Sequence, residues 1–266
     1  MSSGIADYQF TGELGAGNHG RFYIAKPPPR LSLDDDVVAV KVLDQDASDA
    51  DFNRVANELK LFHSVKSAYL VRIYDAGYES GRLFYTTPYY REGSLESPAG
   101  ELARHQRLVL VADAARGAHD LHEAGVVHRD IKPANVLIED GRGRLADLGL
   151  ARLISPDSNK TGIGPVGSIE FMSPDIVLGE RGSRATDLWA LGVTLHYTLT
   201  GTGIYGTIPD ANVMDAFTYV LKTQPRLSPD LPEAYRVIIG RCLKMEDPYA
   251  TAAELAEDID AAAETP

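Results

Sequence analysis

The sequence predicts an α+β fold of two lobes, a small β-rich one over residues 1–88 and a larger helical one over 89–266. Three observations carry this. The apolar period changes along the chain from that of strands to that of helices, glycine and proline gather at the joints, and 266 residues with 44% hydrophobic content can bury a substantial core. Residues 8–24 and 37–43 are rich in Val, Phe and Tyr and broken by Gly, as strands are. Lys26–Asp36 holds three consecutive prolines and three aspartates and predicts an exposed connector. A helical pattern follows, with Phe52, Val55, Leu59 and Phe62 on one face, and Leu83–Tyr90 is again strand-like. From there the period is helical over Leu102–Glu123, Ala185–Leu199, Asn212–Lys222, Pro232–Lys244 and Ala252–Ala263. A crevice for a ligand is expected where the lobes join, near Thr87–Arg91.

Composition narrows the function. With 26 basic and 38 acidic residues the net charge is −12, which argues against nucleic acid as a partner. The one cysteine, Cys242, excludes an internal disulfide and suits a reducing compartment. No basic region followed by an apolar stretch opens the sequence, and no run of about 18 apolar residues occurs, so the expectation is a cytoplasmic chain without a membrane segment.

The stretch LGAGNHGRF places Gly15, Gly17 and Gly20 in a GxGxxG pattern, which alone fits a dinucleotide fold, a phosphate-binding loop or an ordinary turn. Arg21–Ala25 alternates like a strand and Pro27-Pro28-Pro29 forbids the helix that a dinucleotide site requires. The glycines are therefore expected at a hairpin tip, where backbone N–H groups can face phosphate oxygens above Phe22. In VVAVKVL, alternation sets Val38, Val40 and Val42 on one face and Ala39, Lys41 and Leu43 on the other. Glu58 falls among the apolar positions of the next helix, so Lys41 and Glu58 are expected to pair, with lysine N–H groups left for a ligand anion. A lysine reaching solvent from an edge strand, beside an exposed glutamate, is the alternative.

The stretch VVHRDIKPANVLIEDGRGRLADLGLAR supplies the chemistry. Between short strand-like runs, Asp130 offers an acceptor for a hydroxyl proton, Lys132 a cation for a transferred phosphoryl group, and Asn135 an amide oxygen for a metal. Asp147, flanked by apolar residues, is costly to bury unpaired, and Mg²⁺ bridging nucleotide phosphates is a fitting partner for it and Asn135.

On these motifs the chain resembles a eukaryotic-type protein kinase domain, most similar to the bacterial Ser/Thr protein kinases, over nearly its whole length and with the motifs in the family's order. The resemblance implies a bilobal kinase fold and transfer of the γ-phosphoryl group of ATP, with Mg²⁺ or alternatively Mn²⁺, to Ser or Thr hydroxyls of a protein, the chain itself included. It implies Asp130 as catalytic base, with Lys132, Lys41 and Glu58 assisting, and Asn135 and Asp147 of the DLG motif (Asp147–Gly149) as metal ligands. It implies a nucleotide site of Gly15, Gly17, Gly20, Phe22, Ala39, Lys41, Thr87, Pro88, Tyr90 and Leu137, the Pro88 carbonyl and the Tyr90 N–H meeting adenine. GSIEFMSPD (Gly167–Asp175) resembles the end of an activation segment, Ser168 standing where the family has threonine, and TDLWALGVTLHYTLTG the helix that anchors the lower lobe through Asp187. Arg129 is expected to face a phosphate on that segment, on Thr161 first and otherwise on Ser155 or Ser158.

Two further features depart from the pattern. The family's closing glutamate is Asp175, and the arginine that pairs with it after a DP dipeptide is absent, since Asp247-Pro248 runs into YATAAEL. Asp175 is expected to cap the following helix, with solvation, or pairing with another base such as Arg241 on the predicted helix Pro232–Lys244, as alternatives. His119 and His122, three apart on a helix, are expected on its surface. A small-molecule kinase and a nucleotide-binding scaffold remain as rivals. Leu153–Asp175, long enough for a peptide platform, speaks against the first, and the presence of Lys41, Asp130, Asn135 and Asp147 against the second.

Overall fold

The computed structural model describes residues 4–17, 20–43, 49–148, 166–209 and 212–264. It divides into two compact units. The first takes the chain up to Lys66 together with Val71–Tyr89, and the second takes Ser67–Leu70, Tyr90–Leu148 and the described chain from residue 166.

The first unit is an antiparallel sheet of six strands: β1 (Gly4–Ile5), β2 (Tyr8–Gly17), β3 (Gly20–Lys26), β4 (Val38–Leu43), β5 (Asp75–Glu79) and β6 (Arg82–Pro88), in the order β1-β2-β3-β4-β6-β5. Helix α1 (Asp49–Ser64) adds buried Val55, Leu59 and Phe62. Alternation gives the sheet two faces. Ala25, Val38, Val40, Val42 and Phe84 form a buried core with Ile5 and Tyr8. On the opposite face the register sets Phe22, Lys41 and Tyr85 abreast, with Ile24, Ala39 and Thr87 in the next row. Strand β5 has no apolar run to announce it. It is held by pairing with β6 through a two-residue turn in which Ser80 and Gly81 both have positive φ, 51° and 81°, the backbone that matches strand twist.

The proline-rich connector is exposed at most of its positions, as expected, and is also docked at a few. Leu31 and Leu33 pack against the sheet core. Arg30 donates to Asp7 at 2.7 Å and also bonds Asp75, and the Tyr74 hydroxyl donates to Asp35.

The second unit is mainly helical. Helix α2 (Arg104–Glu123) packs against the hairpin β7 (Val136–Glu139) and β8 (Arg142–Leu145), and against α5 (Arg184–Thr200) and α8 (Ala252–Glu264). Short helices α3 (Val166–Ile169) and α4 (Pro174–Val177) precede α5, and α6 (Val213–Lys222) and α7 (Glu233–Cys242) follow it. Ala112, Ala114, Ala115 and Ala118 let neighbours approach α2 closely. Leu121, Leu191, Leu195, Ile239 and Leu255 are fully buried, each worth about 1.5–3 kcal/mol of transfer free energy. Buried Asp113 fastens the hairpin to α2: it accepts from Arg142 at 2.8 and 2.6 Å and from the Gly143 N–H at 2.9 Å. Ser183 caps α5 by accepting from the Thr186 N–H, so the helix starts where the apolar period does.

Candidate active site

The loop between α2 and β7 is held by its own polar groups. Asn135, 6% exposed, donates both amide hydrogens to Asp130: one to the backbone carbonyl at 2.7 Å, one to Oδ2 at 3.0 Å. Lys132 Nζ donates to the same Oδ2 at 2.9 Å and to the Ser168 hydroxyl at 3.3 Å. With Oδ2 doubly held, Oδ1 of Asp130 is, among the described residues, left without a hydrogen-bond donor. The structure thus brings Asp130, Lys132 and Asn135 into one cluster, and Ser168 joins them from α3. Both Asn135 hydrogens being used fixes the amide so that its Oδ1 remains an acceptor.

What aims this loop is Asp187 on α5, 1% exposed. Its carboxylate accepts from the His128 N–H at 2.8 Å, the Arg129 N–H at 2.9 Å and His122 Nε2–H at 2.8 Å. Arg129 sits at φ 69°, a left-handed backbone that costs a non-glycine residue of order 1–3 kcal/mol unless its surroundings hold it. Two of the three bonds fall on and beside that residue. Asp147 has the same kind of backbone, φ 63°. His128 is fully buried and neutral: Nε2–H donates to the Ala146 carbonyl at 3.0 Å, and Nδ1 accepts from the Asp130 N–H at 3.3 Å. Burial holds its pKa below the ordinary imidazole value, against the raising pull of Asp187, Asp130 and Asp147.

His122 corrects the reading of a surface pair. It is 2% exposed and bonded to Asp187, because Leu108, Val111, Ala115, Ala118 and His122 fall on one buried stripe of α2 at steps of three and four. That spacing was present in the sequence as a signal. His128 as a buttress was also missed, and only its burial between polar groups reveals it.

In the first unit, Lys41 is 4% exposed with its ammonium 4.9 Å from the centre of the Phe22 ring and 6.0 Å from that of Tyr85. Phe22, Ala39, Lys41 and Thr87 therefore share one face of the sheet. Glu58 is half-buried on α1. Gly15 has φ 142°, open to glycine, and the strands meet at Gly17↔Gly20. Gly20 is glycine for a packing reason: a Cβ there would stand 2.3 Å from the Val42 carbonyl oxygen of β4. The Thr87 hydroxyl donates to the Pro88 carbonyl at 3.1 Å, which has a second lone pair to offer. In the second unit Tyr90 is buried, and Leu137 is half-buried in β7.

The expectation for Asp175 is overturned. Ser173 is the cap of α4, accepting from the Ile176 N–H, and Pro174 takes the first helical position. Asp175 instead accepts from Lys244 Nζ at 2.9 Å, both side chains nearly half-exposed. Arg241 is engaged elsewhere, with Asp258 at 2.7 Å and stacked over Tyr249 at 3.9 Å. Gly149 of DLG and the acceptors Ser155, Ser158 and Thr161 lie outside the described residues.

Comparison with known proteins matches residues 8–256 to the family model described as the protein kinase domain. The DNA damage-responsive serine/threonine-protein kinase RqkA of Deinococcus radiodurans is 31% identical over 252 residues, covering 90% of this chain and 37% of that protein. The serine/threonine-protein kinase PknK of Mycobacterium tuberculosis is 31% identical over 260 residues, covering 93% of this chain and 23% of that protein. The chain thus spans well under half the length of these relatives. The crystal structure of the Mycobacterium tuberculosis PknI kinase domain has the same fold, with a TM-score of 0.71 at 21% identity, covering 98% of this chain and 99% of that one.

Proposed function

The chain belongs to the protein kinase family, and on that premise we propose that it transfers the γ-phosphoryl group of ATP to serine or threonine hydroxyls of a protein. Family membership implies nucleotide and divalent-cation use in general. The observation that carries the reading is the Asp130 carboxylate, one oxygen pinned by Lys132 and Asn135 and the other left to receive a hydroxyl proton. In the proposed step the acceptor oxygen bonds to the γ-phosphorus, its proton passes to Asp130, and the bond to the β–γ bridging oxygen breaks, that oxygen leaving with the electron pair as ADP. Lys132, between Asp130 and Ser168, offsets charge on the transferred group.

Asn135 Oδ1 and the Asp147 carboxylate would hold the cation, oxygen donors suited to Mg²⁺, with Mn²⁺ as the alternative. When bound, the cation neutralises phosphate charge. Lys41, paired with Glu58, binds phosphate oxygens beneath the Gly15–Gly20 hairpin, while Phe22, Ala39 and Thr87 line the base and the Pro88 carbonyl accepts from adenine. The sheet face shared by Phe22, Ala39, Lys41 and Thr87 supports this assignment.

Incubating the purified chain with γ-labelled ATP, Mg²⁺ and a generic basic protein should label serine or threonine in that protein, as read by phosphoamino-acid analysis. Label appearing only on small-molecule alcohols, or nowhere, would overturn the proposal.

A further inference from the structure

Glu170 is an acid that the proposed chemistry does not use. It directly follows α3, two residues after Ser168, the residue whose hydroxyl receives the Lys132 ammonium. Its Oε1 is buried and, among the described residues, receives no hydrogen bond, although the residue as a whole is only half-buried. The carboxylate rests on Gly203. A Cβ at that position would stand 1.0 Å from Oε1, and the three atoms nearest to it all belong to Glu170. Two residues further on, the Tyr205 hydroxyl is likewise buried without a partner, and burial with the nearby Glu170 charge holds it well above the usual phenol range.

A carboxylate oxygen kept from water without a donor is unfavourable, and burial accordingly raises the Glu170 carboxyl from its ordinary value. Such groups concentrate where a ligand supplies the missing donor. The ligand here is set by chemistry and place. The missing partner is a strong cationic donor, and the place is next to the residues that hold Asp130, since two residues of chain reach at most about 7 Å.

We propose that Glu170, seated on Gly203, selects protein substrates that carry a basic residue, arginine above lysine, within a few positions of the acceptor serine or threonine. The proposal rests on the reading of the Asp130 loop as the place where that hydroxyl is phosphorylated. A guanidinium presents a planar fork of donors that fits a carboxylate, which an ammonium does not. The net charge of −12 draws a basic segment toward the chain from any direction, and Glu170 gives the attraction a position.

The test uses acceptor peptides that differ only in arginine or citrulline, scanned over two to four positions on either side of the serine. Affinity is read by fluorescence anisotropy and transfer by label from ATP with Mg²⁺. At one or two positions the arginine peptide should bind and react about tenfold better, the difference lying in KM. Glu170→Gln removes the charge at constant shape, and Gly203→Ala adds a methyl group that meets the carboxylate first. Each should bring the ratio near one. The wild-type chain decides independently of how either variant folds, because acid that protonates Glu170 should also bring the ratio toward one while arginine and citrulline do not titrate. A ratio near one in the wild type at every position, or one that survives both substitutions and acid, overturns the proposal. Arginine-dependent binding without transfer would leave Glu170 its role and contradict the phosphoryl-transfer reading. Transfer without arginine preference would do the reverse.

Discussion

At the loop between α2 and β7 a buried aspartate, Asp187, receives three hydrogen bonds, whereas just past α3 a half-exposed aspartate, Asp175, receives one from a half-exposed lysine. Both are carboxylates next to the proposed chemistry. The difference lies in water. Asp187 lies out of water and accepts all three bonds, so they can hold Arg129 in a backbone it would otherwise leave. Asp175 and Lys244 exchange each other for solvent at little cost, as exposed pairs do. Asp175 needs no buried partner, because Ser173 caps α4 and the acid is not buried.

The largest effect expected is at Asp187. Replacing it by alanine strands two backbone N–H groups and His122 in a dry interior, which should cost about 3–5 kcal/mol in urea unfolding and abolish turnover. A loss under about 1 kcal/mol would erase the contrast with Asp175.

Acid should weaken the buried side next. His128 and His196 both have pKa values lowered from 6.5, chiefly by burial. His196 donates from Nδ1 to the Thr202 carbonyl at 2.9 Å and accepts at Nε2 from the Ser228 N–H at 3.0 Å, so it too is neutral in the fold. The unfolded chain takes up these protons first as pH falls. Their contribution to stability is therefore complete above about pH 6.5 and declines below it, by up to about 1.4 kcal/mol per pH unit for each histidine. His196→Gln should flatten that slope in unfolding measured from pH 7 to 5. An unchanged slope would remove His196 from the account.

The smallest effects belong to the exposed side. Asp175→Asn should change stability by less than about 1 kcal/mol. Lys244 has φ 57° at the end of α7, so Lys244→Gly relieves a left-handed residue while losing the ion pair, and the two changes should nearly cancel. A loss of several kcal/mol at Asp175→Asn, non-additive with Lys244→Gly, would make this pair a working substitute for the missing arginine.

The two regions also differ in how far the sequence discloses them. Period-two alternation was enough to place Ala39, Lys41 and Leu43 on one face, because a regular strand leaves a side chain no other choice. Helix limits were legible for the same reason, with Ser183 and Gly201 marking the ends of α5. The loop residues Asp130, Lys132 and Asn135 were legible only as a motif, since irregular backbone obeys no period. Which oxygen is pinned and which is left depends on tertiary contacts. His122 was misread because a polar histidine suggests the surface until it is counted on the stripe Leu108, Val111, Ala115 and Ala118, which is buried. Strand β5, DAGYE, was missed because its pairing comes from its neighbour and its turn rather than from its own composition. For Asp175 the sequence offered capping, but a serine two residues earlier does that work, and the lysine that meets the acid lies 69 positions away.

The central claim, that the pinned Asp130 carboxylate orients and deprotonates the acceptor hydroxyl, is tested most directly by Asp130→Asn. Single-turnover transfer from labelled ATP and Mg²⁺ should be measured beside nucleotide affinity on the same protein. The account predicts a fall in the transfer rate of about two to four orders of magnitude with ATP affinity within a few-fold of wild type. Transfer at the wild-type rate by a folded Asp130→Asn chain would contradict it.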